Sequence, residues 1–222
     1  MKELKIGNQI WSSENLSTTK FNNGEDIPLI DPKSFNQEWR FRSKWEKTGD
    51  KQLPLCCYYK DESERENYEG VLYNWHAIMD SREICPEGWR IPTIEDYEEL
   101  ALNVGGVKEI ENDKWNGEII RYKNFLSKLK SEKDWDTDIV GDNSFSNGTN
   151  DYEFNLKPYG QLSSVGNWLP QFKKTTTKLW TVSENLDGYK NATVFVPYFH
   201  EDGMVVLKSN KTCGIQVRCI KN

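Results

Sequence analysis

Histidine is scarce in this 222-residue chain: there are two, His76 and His200. The five cysteines, Cys56, Cys57, Cys85, Cys213 and Cys219, contain no Cys-x-x-Cys and no paired Cys/His spacing of a zinc site. A structural zinc is therefore not expected, and the odd count leaves at least one thiol unpaired. One disulfide and a fully reduced set both fit these five, so the redox compartment stays open at this point. No apolar run approaches the roughly 18 residues of a transmembrane helix. Met1-Lys2-Glu3-Leu4-Lys5-Ile6-Gly7 has neither the apolar core of a signal peptide nor a lipobox. Such a start implies a protein kept inside the cell, or one whose leader has been replaced by Met1. Positive charge has no surplus either: 29 Lys+Arg face 35 Asp+Glu, a net charge of −6. Nucleic acid and anionic membrane both reward a basic face, so neither is expected as the main partner.

Hydrophobic residues make up only 36%, yet aromatics reach 13%, with nine Trp, ten Tyr and nine Phe. Few aliphatics and many rings suit a loop-rich fold whose irregular segments are pinned by large side chains. Disordered chains are poor in aromatics, so disorder is not expected. Most of the tryptophans read as anchors of core and loops. The length fits one large domain or two small ones, either able to fold without a metal or disulfide staple.

Residues 4–11 read as a short strand broken by Gly7. Residues 17–56 carry turn formers and isolated aromatics with no sustained period. The clearest helix is at 93–104: Thr93 is the N-cap after Pro92, Asp96 sits in a capping-box position, and Ile94, Tyr97, Leu100, Ala101 and Val104 share a face. A second helix is expected within 70–80, and a third short helical piece within 124–132, with Phe125 and Leu129 inward. The last third reads as β: strands at 179–183 and 193–199, a turn at His200-Glu201-Asp202-Gly203 into 204–207, and a final strand at 214–220. Helices early and strands late give the class α+β. One echo, Ile10-Trp11-Ser12-Ser13-Glu14-Asn15-Leu16 against Leu179-Trp180-Thr181-Val182-Ser183-Glu184-Asn185-Leu186, occurs only twice and is no solenoid period. It places both tryptophans beneath one core.

Cys85-Pro86-Glu87-Gly88-Trp89-Arg90-Ile91-Pro92-Thr93 resembles the signature of the Fibrobacter succinogenes major paralogous domain family. Blocks in the same order agree with it: Ile6 to Trp11 with Glu14-Asn15-Leu16, Phe21 to Gly24, Cys57-Tyr58-Tyr59, Leu72-Tyr73-Asn74-Trp75, Thr149 to Phe154, Trp180 to Glu184, and Gly214 to Ile220. Together they cover essentially the whole chain as a single domain. The resemblance implies a fold like C-type lectins and the formylglycine-generating enzyme. That fold has a small twisted antiparallel sheet, short helices and long organised loops, with adjacent terminal strands and a central excursion carrying the ligand face. It also implies an exported or cell-surface protein, lipoprotein-like, of the kind found in Bacteroidetes, although no leader is visible. Lys157 departs from the family's Leu-Pro-Gly-Gly loop, and Cys56 and Cys213 are additional.

Three kinds of chemistry come into question. Asp134, Asp136, Asp138 and Asp142 offer the oxygens that calcium seeks, but Ile139 stands where an EF-hand needs glycine and no glutamate closes the loop, so a solvated acidic loop is the expectation. Nucleophilic catalysis lacks a base: His76 falls in a packed aromatic block and His200 in a turn. Rigid rings among Asn and Asp suit stacking on a glycan or contact with a protein partner. That points to Trp135, Asp136, Asn147, Asn150, Tyr152, Tyr159 and Trp168 in the excursion at 133–170, and next to Asn185, Asp187 and Tyr189 after Trp180. The expectation is a non-catalytic recognition or adhesion module with no cofactor. The alternatives are a structural component of a larger surface or injection-type assembly, and an oxidising enzyme of the formylglycine-generating type using Cys213 and Cys219.

Overall fold

The computed structural model describes residues 1–59, 70–113, 117–135, 147–168, 176–184, 191–197 and 202–222. The opening segment is a hairpin rather than one interrupted strand. β1 (Glu3–Ile6) runs antiparallel to β2 (Gln9–Ser12), and Gly7, at φ +59°, makes the two-residue turn. A side chain there would strike Asn103, 2.3 Å from its Cβ position. The chain's two ends lie side by side, as expected. β11 (Ile220–Lys221) pairs with β2, Ile220 opposite Trp11, and on its other edge with β5 (Trp89–Arg90). The contact extends past the ladder: Ser12 N–H donates to Cys219 O at 2.9 Å and Leu16 N–H to Val217 O at 2.8 Å.

The architecture is mixed, with short helices and small antiparallel sheets. α1 (Glu38–Gly49) and the four-residue α2 (Trp75–Ile78) precede α3 (Ile94–Asn103), whose capping box closes between Thr93 and Asp96. β3 (Cys56–Cys57) pairs with β4 (Leu72–Tyr73). The largest sheet has the order β6-β7-β10-β9-β8, built from β6 (Val107–Asp113), β7 (Gly117–Lys123), β8 (Leu179–Glu184), β9 (Asn191–Pro197) and β10 (Gly203–Asn210). Among the described residues no helix is long and apolar enough to cross a membrane.

Several elements differ from the sequence expectation. α1 occupies part of the stretch that shows no period, because only Phe41, Trp45 and Gly49 turn inward and Gln37 makes no side-chain cap. The β6–β7 hairpin escapes notice because its apolar residues do not mark a buried face: Val107 and Ile110 are exposed. Within 70–80 only α2 is helical, and within 124–132 only one 3-10 turn, Leu126–Lys128, forms, with Phe125 and Leu129 buried. The segment 214–220 is not one strand. Gly214 bridges to Leu162, Ile215 to Tyr73 and Gln216 to Leu179, so each residue meets a different part of the chain before β11 begins.

That closing segment explains the core. Ile215, Val217 and Cys219 enter an apolar cluster with Trp75 and Trp180. Trp11 belongs to a second cluster with Tyr97, Phe125 and Phe154, so the two echoed tryptophans serve different cores. A third holds Phe41, Trp45, Tyr59 and Tyr159. The alternate residues Gln216 and Arg218 are also buried and need partners. Asn15 donates to Gln216 Oε1 at 2.5 Å, and Gln216 donates to the Tyr59 hydroxyl at 3.0 Å. Tyr59 in turn donates to Tyr159 O at 2.6 Å. Arg218 donates to Asn15 Oδ1 at 2.9 Å and to Phe154 O, with its guanidinium over the Phe154 ring.

Candidate functional site

The first half of the central excursion is built around Trp135. Its ring is 5% exposed, and its indole N–H is shared between Ser131 Oγ and Leu156 O at 3.1 Å each. Asn147 Oδ1 accepts from Trp135 N–H at 3.1 Å, and the Lys130 ammonium lies 4.3 Å from the ring centre. Burial pushes the Lys130 pKa down to about 8, with Asp202 acting in the opposite direction. Gly148 passes so close to the backbone that a Cβ there would stand 2.4 Å from both Ser127 O and Lys130 O.

On this base, Ser131, Glu132, Lys133, Asp134, Asn150, Asn155 and Lys157 line a shallow, open hollow of about 320 Å³. Asp134, Asn150, Glu153 and Asn155 all have positive φ, which costs on the order of 1 kcal/mol each for a non-glycine residue. Three of the four are Asp or Asn, which tolerate that conformation best. Asn150 offsets part of the cost by accepting Asn155 N–H at 2.7 Å and Glu153 N–H at 2.9 Å, the first on its side chain and the second on its carbonyl. The result is a wall of carboxylate, amide, ammonium and hydroxyl groups. Tyr152 is half-buried on the turn between Asn150 and Asn155 and packs against the second cluster.

The second half of the excursion goes elsewhere. Tyr159 is 5% exposed and lies 6.1 Å from the Tyr59 ring. Trp168, half-buried, sits 5.6 Å from Tyr59 and stacks on Phe41 of α1 at 6.2 Å. The two halves therefore do not merge their rings into one cluster. Trp135 and Tyr159 act as pillars with almost no free face, and Asn147, Asn150, Tyr152 and Trp168 retain exposed surface. Asp136, Asn185, Asp187 and Tyr189 lie outside the described residues, as do Asp138, Asp142 and His200. Among the described residues no group of three or more His, Cys, Asp or Glu could hold a metal ion.

The Cys-Pro-x-Gly-Trp segment lines a second hollow of about 360 Å³, floored by Ile78, Met79, Ile84, Trp89, Ile91 and Val182. Its frame is rigid. Val182 N–H donates to Pro92 O at 3.0 Å, and Arg90 grips Asp96 through both terminal nitrogens. Asp96 also accepts Thr93 N–H at 2.7 Å. Burial pushes the Asp96 carboxyl up, but the Arg90 and Thr93 hydrogen bonds outweigh it and hold the pKa below the usual range. On the rim, Arg82 forks onto Asp80 and lowers its pKa as well. A carboxyl held below its unfolded value stabilises the fold above the ordinary carboxylate range near pH 4, and that contribution is lost as pH falls through the lowered value. Stability therefore declines on acidification below about pH 4. Asp96→Asn flattens that limb in denaturation midpoints measured from pH 2 to 6; an unchanged slope contradicts the role given to Asp96.

Cys85 and Cys219 are joined by a disulfide, and Cys56, Cys57 and Cys213 are buried thiols. Cys213 and Cys219 are thus not joined to each other. Burial raises the Cys56 pKa to about 12 and raises that of Cys213. His76 is half-buried, and burial followed by the Lys211 charge lowers its pKa. Sequence reasoning missed α1 and the signature hollow as surfaces. The available signal was the signature itself, whose Trp89 is only partly used by the core.

Compared with known protein families, the chain matches the Fibrobacter succinogenes major domain (Fib_succ_major) over residues 4–221. No curated protein and no solved structure matches it.

Proposed function

The chain belongs to the Fibrobacter succinogenes major domain family, and from that premise we propose that it is a non-catalytic recognition module of C-type-lectin-like fold, acting at the cell surface or after secretion and binding a glycan on its loop face. The observation that carries this reading is the polar hollow at Ser131–Lys157, set on the Trp135 pillar. Its mixture of Asn amides, carboxylates and lysines complements a ligand dense in hydroxyls, each of which both donates and accepts. Tyr152, on the adjoining turn and packed partly against the second cluster, offers its remaining exposed surface beside the hollow to a sugar face. Backbone conformations imposed by left-handed residues keep the wall ordered before a ligand arrives, which lowers the entropic cost of binding. The paired chain ends support the lectin-like comparison, because they leave the central excursion free to carry contacts.

A glycan array with the intact chain, followed by titration of the best hit, tests this. Lys133→Ala and Tyr152→Ala are expected to weaken binding about tenfold each, equivalent to about 1.4 kcal/mol. Binding that survives both substitutions unchanged removes the loop face as the site.

A further inference from the structure

A second surface lies on α1. Its inner row, Phe41, Trp45 and Gly49, is spent on the third cluster. Arg40, Lys44 and Lys47 follow at spacings of four and three, and Lys51 continues the row just past the helix end. Residues so spaced share one face of a helix. All four side chains are exposed, as is Arg42 on the neighbouring row. Among the described residues none of these five cations lies in an ion pair, although Glu46 and Asp50 belong to the same segment.

Trp39 stands at the head of that stripe, 60% exposed, while Trp11, Trp45, Trp75, Trp135 and Trp180 are buried. Its indole N–H donates to Gln37 Oε1 at 2.7 Å, and the Arg40 guanidinium lies 5.4 Å from its ring. The ring is thus held in place with one face outward. Charge is distributed to match. Residues 31–53 hold six Lys or Arg against four Asp or Glu, whereas the rest of the chain holds 23 against 31. Behind the helix, Trp168 stacks on Phe41, and Trp45 N–H bonds to Thr212 O at 2.9 Å, so the stripe rests on a rigid wall.

We propose that α1 is a binding surface for an acidic polysaccharide: Trp39 stacks on a pyranose face and the Arg40-Lys44-Lys47-Lys51 row meets its carboxylates or sulfates. The row, about 16 Å from Arg40 to Lys51, spans several sugar units. Two other polyanions fit worse. Anionic lipid binding by a helix needs an apolar face to insert, and the apolar face of α1 is already buried, leaving one ring. Nucleic acid concentrates charge to about one phosphate per 1.7 Å of duplex, and the acidic remainder of the chain opposes it. This surface is separate from the loop-face hollow, so either can fail while the other stands.

The test uses the whole chain with polygalacturonate, neutral galactan, duplex DNA and anionic vesicles as probes. Polygalacturonate is expected to bind, and binding falls at least tenfold in Lys44→Ala/Lys47→Ala and about tenfold in Trp39→Ala. It also falls with added salt, whereas Lys5→Ala, at an exposed lysine of β1 outside both surfaces, leaves it unchanged. Alanine is a strong helix former at these exposed positions, and unchanged melting curves confirm that the fold is intact. Three results overturn the proposal: no binding of polygalacturonate, equal binding of the neutral polymer, or DNA or vesicles bound more tightly through the same residues.

Discussion

Replacing Cys85 and Cys219 together with alanine is expected to cost about 5 kcal/mol of unfolding free energy. The bond closes a sequence separation of 134 residues, and in the chain-entropy account a loop that long restricts the unfolded state strongly. Its placement adds to the effect. Cys85 begins the signature segment, and Cys219 immediately precedes Ile220, which sits between β2 and β5 in the sheet that joins the chain ends. Losing the bond therefore loosens both the sheet and the hollow beside it. Both sulfurs are buried, so reduction of the native protein is expected to wait on opening of the fold. Urea denaturation of the double variant against the parent measures the change. A loss below about 1 kcal/mol, or the same loss from replacing buried Cys56 and Cys213 alone, contradicts it.

Trp180→Ala is the second large effect, about 4 kcal/mol. The ring is fully buried and meets Trp75 edge-on at 5.6 Å. Its indole N–H donates to Tyr73 O at 2.7 Å, and its backbone N–H donates to Gln216 O at 3.0 Å. One residue thus ties β8 both to β4 and to the segment that crosses the core. Trp180→Phe separates the contributions: it keeps most of the packing and removes one hydrogen bond, while Tyr73 O still accepts from Ile215 N–H at 3.0 Å, a cost of about 0.5–1.5 kcal/mol. Exposed Trp39→Ala is the matched control and is expected to change stability by about 0.5 kcal/mol or less. If the Trp180 and Trp39 variants unfold at the same denaturant concentration, the assignment of Trp180 to the core is wrong.

Legibility followed the range of the interactions. The α3 capping box needs only Thr93 and Asp96, three apart, so it was readable and is present. The β9–β10 pairing likewise follows from alternation close in sequence. α1 was not readable, because its apolar stripe is two rings and a glycine and its N-cap makes no side-chain bond. At the candidate site, a Trp or Tyr in an irregular segment carries no mark of which way it faces. Trp135 turned inward because Ser131 and Leu156 supply acceptors for its N–H, and Trp168 found Phe41 on a helix that local pattern did not disclose.

By itself the sequence determined the family, and through that resemblance the adjacency of the two ends, together with the mixed class and the position of the best-capped helix. Each of these rests on residue identity in order or on contacts within a few positions. Only the tertiary structure decided that Cys85 pairs with Cys219, that Trp11 and Trp180 serve different clusters, and that Trp39 faces water while Trp135 does not. These depend on which distant segments close over a given side chain. In a loop-rich chain that closure is set by hydrogen bonds such as Arg218 to Asn15, 203 positions apart, and no local period encodes it.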